Sequence, residues 1–293
     1  MATFVGIHGI GQQLSGGKYT LSEEWQNALR GGLSEAGHDA EAEQVQPEDV
    51  RVMYFGGLFR LRTGGMAVDD PPYTPADIQA GPEMDLLETL YEAAVKQDPS
   101  LGPGEGAMFP GAVPVQVMLA RLLRIPLFSG IAQRAFIGNL KQVTRYLADE
   151  SLREQVLERV HDGIGDDTRV LIGHSLGSVV AYEYMCQFRP ASVRMLLTLG
   201  SPLGIPNLVF DRLTPRPEEG KGAWAGSVPV WVNVAALNDI VAMRKELAGL
   251  FPGPDSETVD DRQVENGFLL HAHSIVRYLS APQTGSALHD AIG

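Results

Sequence analysis

Ser175 stands between two glycines in Gly173-His174-Ser175-Leu176-Gly177, and the residues on either side give that spacing a chemical meaning. Val170, Leu171 and Ile172 form a short apolar run of the kind found in a strand buried on both faces, while Leu176 to Phe188 carries helical periodicity. The serine is therefore predicted at a sharp strand-to-helix turn. Such a turn forces it into a strained backbone conformation, and side chains at 173 or 177 would collide with the neighbouring strand and helix. The gain is an exposed Oγ at the positive end of a helix, where backbone N–H groups can receive an oxyanion. This is the setting of a nucleophilic serine.

A second, independent feature lies at the start of the chain. Thr3-Phe4-Val5-Gly6-Ile7 reads as a short apolar strand that runs directly into His8-Gly9-Ile10-Gly11. An oxyanion site needs one N–H from the residue after the nucleophile, here Leu176, and another from a loop at the end of a neighbouring strand. Ile10 is the candidate for the second. A nucleotide-binding loop fits less well, because Gly6, Gly9 and Gly11 have the wrong spacing and no acidic residue follows at the required distance.

With His8-Gly9-Ile10-Gly11 near the start and Gly173-His174-Ser175-Leu176-Gly177 in the middle, the chain resembles the α/β-hydrolase superfamily. Within it, the pattern is similar to lipase- and esterase-like serine hydrolases. Gly200-Ser201-Pro202-Leu203 and the last helix extend the likeness over nearly the whole chain, although 63–145 matches nothing assignable. The resemblance implies an α/β fold with a central, mostly parallel sheet, helices on both faces, and a Ser, Asp, His triad in that chain order.

That order directs the search for the acid and the base. Val228 to Ala235 reads as a buried strand, and Ala236-Leu237-Asn238-Asp239 is the turn after it, ahead of a helical stretch predicted over Ile240 to Leu250. Asp239 would hold the base in the right tautomer and stabilise its cation. An aspartate at that boundary is more ordinarily a helix N-cap, and Asp211, Asp260 and Asp261 are rivals, the last two in what reads as a polar loop. Two histidines, His271 and His273, precede a final amphipathic helix. The resemblance favours His273, because relatives show a pattern similar to Ala-His-Ser with an aromatic residue a turn later, as Tyr278 is here; His271 stays the rival. His8, Gly9 and His174 are read as supports around the site. A His-x-His pair also suits a metal, but no cysteine or carboxylate cluster sits nearby, and Cys186 is the only cysteine, so neither metal nor cofactor is expected.

The elements that must position these residues are legible in outline. A chain of 293 residues with 44% apolar content can bury one large α/β core, so a single domain spanning 1–293 is expected. Strand Phe4 to Ile7, helix Ser22 to Glu35 and strand Val50 to Phe55 open the fold directly, without the two leading antiparallel strands of larger family members. A helical insertion follows over about 60–145. It holds a helix near Glu83 to Gln97, a Gly/Pro loop from Asp98 to Pro114, and the apolar stretch Val115 to Phe128, readable as a lid or acyl-chain wall, as core, or as a dimer interface. Helix Leu140 to Ile164, with a break at Asp149 to Ser151, would pack on the sheet through Val143, Leu147, Val156, Leu157 and Val160.

A formal net charge of −13 disfavours nucleic acid and purely electrostatic attachment to anionic membranes. No apolar run reaches spanning length without charge or proline, which excludes an integral membrane segment and leaves peripheral contact with lipid open. The lack of a basic and apolar leader and the single cysteine point to the cytoplasm. The expectation is a serine hydrolase acting on a small-molecule or lipid ester through an acyl-enzyme. Amidase, peptidase and thioesterase chemistry would use the same residues, and a non-catalytic binding module of the same fold is the competing class. Oligomeric state is not legible.

Overall fold

The computed structural model describes residues 3–10, 18–59, 62–63, 66–67, 73–102, 113–125, 128, 132–267 and 272–292. They hold eight strands and nine α-helices: β1 Phe4–Ile7, α1 Lys18–Glu35, α2 Asp39–Gln44, β2 Val50–Met53, β3 Arg62–Thr63, β4 Met66–Ala67, α3 Pro82–Gln97, α4 Val115–Leu122, α5 Gln133–Ala148, α6 Glu150–His161, β5 Val170–His174, α7 Leu176–Phe188, β6 Met195–Leu199, β7 Val230–Ala236, β8 Asp260–Val264, α8 Ile275–Leu279 and α9 Pro282–Ile292. Six of the strands form one sheet in the order β2-β1-β5-β6-β7-β8, and β3 and β4 pair antiparallel as a separate hairpin. Every pairing in the large sheet is parallel, with Phe4 opposite both Val50 and Val170, Val170 opposite Met195, Met195 opposite Val230, and Val232 opposite Asp260.

Alternating side chains send the strands' apolar groups to opposite faces, and each face has its own helical cover. Val5, Ile7, Leu171, Leu196 and Trp231 pack with α3 to α7, whereas Phe4, Val50, Val170, Ile172, Leu197 and Val232 pack with α1, α8 and α9. The expected α/β architecture with helices on both faces is what the chain adopts. α7, which carries the residues after Ser175, lies in the interior along most of its length, from Leu176 to Met185. Its apolar character on all sides is that of a helix enclosed by protein.

Two sequence expectations are corrected. Residues 240–250 form no helix: Asp261 accepts hydrogen bonds from the Leu247 and Ala248 N–H groups at 2.8 to 2.9 Å, and Asn233 Nδ2 donates to the Lys245 carbonyl at 2.9 Å. Side chains of the sheet thus take backbone groups that a helix would pair internally. Asp260 and Asp261, read as part of a polar loop, instead begin the edge strand β8. The predicted break near Asp149 to Ser151 is real, since α5 ends at Ala148 and the Asp149 side chain caps α6 by accepting from Leu152 N at 3.0 Å.

Candidate active site

The site lies at the carboxyl ends of the strands, where open parallel sheets form their crevices. β1 leads into His8, β5 into Ser175, β6 into Gly200 and β7 into Asp239. Ser175 has φ 55 and ψ −129, far from any helical or extended conformation. Its N–H donates to the Leu199 carbonyl at 3.1 Å, which fastens the turn to the end of β6. The flanking glycines are obligatory: a Cβ on Gly177 would lie 2.1 Å from the Ile7 carbonyl oxygen, and one on Gly173 would lie 2.5 Å from Ser178 Cα. Behind the turn, the Ser178 hydroxyl contacts the Ser175 carbonyl at 2.6 Å and the Ser201 hydroxyl at 2.7 Å. Ser201 of the Gly200-Ser201-Pro202-Leu203 segment therefore braces the serine turn, a role its sequence did not disclose.

The base and acid candidates are in direct contact. His273 Nδ1 lies 2.7 Å from Asp239 Oδ2, and the Tyr278 hydroxyl donates to the same oxygen at 2.7 Å while accepting from Ala236 N at 2.8 Å. Asp239 Oδ1 accepts from Val241 N at 2.8 Å. The carboxylate is completely buried. Burial alone would raise its pKa, but His273, Tyr278 and the Val241 N–H together outweigh burial and hold it below the ordinary carboxylate range. The cap-like contact expected of an aspartate at this boundary and the contact with histidine thus use different oxygens of one carboxylate. Asp211 and Asp261 are engaged elsewhere, with the Asn207 N–H and with the 247–248 backbone, and Asp260 pairs with Arg262. His271 lies outside the described residues.

Gly200 completes this corner. Its φ is +54, and a Cβ there would fall 2.9 Å from Asp239 Oδ2 and 3.0 Å from His273 Nδ1, so only glycine leaves room for the pair.

His8 and His174 are both buried. His174 Nε2 is 3.0 Å from the His273 carbonyl oxygen and donates to it. Burial, reinforced by the adjacent His273 ring, pushes the His174 imidazole down to about 3, so it is neutral at any ordinary pH. Burial likewise lowers His8 to about 4, although its contact with the Gly9 carbonyl opposes that effect. The His8 ring stacks on Phe55 with centroids 4.5 Å apart. Gly9 presses against the serine, since a Cβ on it would lie 2.8 Å from Ser175 Cβ.

A cavity of about 440 Å³ opens onto Ser175 and His273, with Gly9, Ile10, His174 and Leu176 also on its wall. Leu176 is the first residue of α7, so its N–H has no intrahelical partner. The remainder of the wall is mainly apolar, from Leu86 and Leu90 of α3, Phe136, Leu140 and Val143 of α5, Phe128 ahead of α5, and Ile205 and Val209 beyond β6. The greasy surface is thus supplied by α3 and α5 and not by α4. Leu119 and Leu122 of α4 are fully buried in the core, and among the described residues of the 115–128 stretch only Phe128 reaches the cavity. Val143, which looked like a sheet-packing residue, faces this space instead.

Residues 137–217, from α5 through the serine turn to the region beyond β6, match the family model described as PGAP1-like alpha/beta domain. No curated protein and no solved structure matches the chain. Among the described residues no helix is long and apolar enough to cross a membrane. The six-stranded parallel sheet covered by helices on both faces is an α/β fold, and the matched central stretch, similar to a PGAP1-like alpha/beta domain, agrees with it.

Proposed function

We propose that the chain is a serine hydrolase that cleaves carboxylic esters through an acyl-enzyme. The observation that carries this reading is the His273–Asp239 contact of 2.7 Å, with His273 on the wall of the same cavity as the strained Ser175. Asp239 accepts from Nδ1 and so leaves His273 Nε2 to take the proton from the Ser175 hydroxyl as Oγ attacks the ester carbonyl. The imidazolium that forms faces a buried carboxylate. It then returns the proton to the departing alcohol, and a water molecule repeats the sequence to release the acid and regenerate the serine.

Backbone N–H groups of Leu176 and Ile10 are assigned to the tetrahedral oxyanion, where each donor is typically worth about 3 to 4 kcal/mol. His8, Gly9 and His174 hold the loops without carrying protons. The apolar wall from α3 and α5 suits a hydrocarbon acyl group, which favours an ester of lipid type over a peptide. No cofactor or metal takes part in this scheme.

The reading is tested with a fluorophosphonate probe and a chain-length series of nitrophenyl esters, with Ser175→Ala as control. The probe should label Ser175 alone, and ester turnover should vanish in the variant. Folded protein that neither reacts with the probe nor hydrolyses any ester would move the chain to a binding module.

A further inference from the structure

Away from the serine, three side chains with metal-binding atoms meet where the corner between α1 and α2 faces α9. His38 lies in the turn between α1 and α2, Glu41 lies on α2, and His289 lies on α9. One ligand atom from each falls within 4.8 Å of the other two. None of the three lines the cavity at Ser175.

The group is held together by the packing of its elements. Helices α1 and α9 cross so closely that a Cβ on Gly285 would lie 1.9 Å from the Gly32 carbonyl oxygen, and His289 is one turn further along α9. The two imidazole rings stack with centroids 3.7 Å apart and planes within 6°. His38 occupies the position before α2 without capping it by a side-chain hydrogen bond, so its ring is not used by the helix. Glu41 Oε1 is 3.2 Å from His289 Nδ1, yet that buried nitrogen makes no hydrogen bond among the described residues. A nitrogen withdrawn from water, facing a carboxylate oxygen and stacked on a second imidazole, is a set of donors without a shared acceptor.

We infer that His38, Glu41 and His289 form a binding site for a divalent cation of the zinc class, which fastens the α1–α2 corner to α9. Two imidazoles and one carboxylate are a donor set that zinc takes readily, with the fourth tetrahedral position left to water. Tetrahedral donors around zinc stand roughly 3.4 Å apart and each imidazole donates in its own ring plane, so the two stacked rings, both partly exposed, would tilt out of parallel to point their nitrogens at one ion. The cation would join segments distant in sequence and would stabilise the folded state, because the unfolded chain does not bring the three together.

The test uses the whole chain after dialysis against a chelator. Zinc chloride is titrated by calorimetry, and thermal unfolding is followed with and without the metal. The expected result is one equivalent bound with Kd of about 10 μM or tighter, and a melting temperature raised by several degrees and returned by the chelator. Both effects should disappear in the double variant His38→Ala/His289→Ala, and Glu41→Gln should weaken binding at least tenfold. If that double variant fails to fold, His38→Gln/His289→Gln keeps the side-chain volume and answers the same question. His273→Ala, which removes a histidine of the serine site, should keep both effects. The inference is overturned if wild type shows no shift at 100 μM zinc, if the double variant binds as wild type does, or if binding is lost in His273→Ala.

Discussion

His174 donates a hydrogen bond from Nε2 to the His273 carbonyl oxygen at 3.0 Å, so the residue beside the proposed nucleophile holds the backbone that carries the proposed base. Two loops remote in sequence are thereby set in register by one neutral ring. His174→Ala should lower kcat by roughly 10- to 100-fold with little change in KM, whereas His273→Ala should lower it by three orders of magnitude or more. Steady-state kinetics on a short soluble ester would decide; equal losses would make His174 a proton carrier. His271→Ala, measured beside them, should impair turnover much less than His273→Ala.

Asp239 and Tyr278 can be separated in the same way. Asp239→Asn keeps the shape but removes the charge and favours the wrong imidazole tautomer, so kcat should fall by about 10⁴. Tyr278→Phe leaves the Ala236 N–H buried without its partner, and stability should fall by about 1 to 3 kcal/mol. Its kcat loss should be far smaller than that of Asp239→Asn. Denaturant unfolding and kinetics on both variants test this, and a Tyr278→Phe protein as inactive as Asp239→Asn would place the phenol in the chemistry.

Gly200→Ala introduces a Cβ against Asp239 Oδ2 and His273 Nδ1 at a backbone conformation that alanine resists. Activity should drop by at least 100-fold, while the far-ultraviolet circular dichroism of the folded protein stays as in wild type. Full activity in Gly200→Ala would show that the pair tolerates displacement.

Acid stability follows from the two buried imidazoles. His8 and His174 have folded-state values of about 4 and about 3, below the unfolded value of 6.5. Between those limits the unfolded chain binds protons that the folded one does not, so stability is full above pH 6.5 and declines as pH falls through this window. From pH 7 to pH 5 each histidine should contribute a loss of roughly 2 kcal/mol. Urea unfolding across that range measures it. His174→Phe should show a shallower decline, and an unchanged slope would remove His174 from the account.

The cavity wall and the core helix should answer differently to substitution. Val143→Trp is expected to fill space on the α5 side and shorten the preferred acyl chain, with short-chain turnover kept. Leu122→Ser should instead cost roughly 2 to 5 kcal/mol of stability with chain-length preference unchanged, because that leucine is fully buried away from the cavity. An ester series and melting curves on the two variants suffice.

How far the sequence led depended on whether a signal was local. The serine turn was legible because its glycines and strand-helix setting occupy one short window, and Asp239 and His273 were reachable through the order of the resemblance. The helix expected over 240–250 had good local periodicity, but Asp261 and Asn233, from neighbouring strands, captured its backbone. β8 was missed because Asp260-Asp261-Arg262-Gln263-Val264 is an edge strand with mostly polar side chains, which carries little of the alternation that marks a half-buried strand. The contribution of α3 and α5 to the cavity rests on helix packing, which no single window of sequence records. The bracing contact between Ser178 of α7 and Ser201 beyond β6 likewise joins elements that no single window contains.

The order of the sheet has a consequence for how the molecule is made. β1 is synthesised first but lies between β2 and β5, and α1 packs against α9, so the earliest segments are completed by the latest. A chain emerging from the ribosome through α7 would present Ser175 without Asp239, His273 or Tyr278. The proposed nucleophile is therefore unarmed until the residues through Tyr278 have been made. Reactivity would arise late, when α8 docks and brings His273 and Tyr278 against Asp239, already in place after β7.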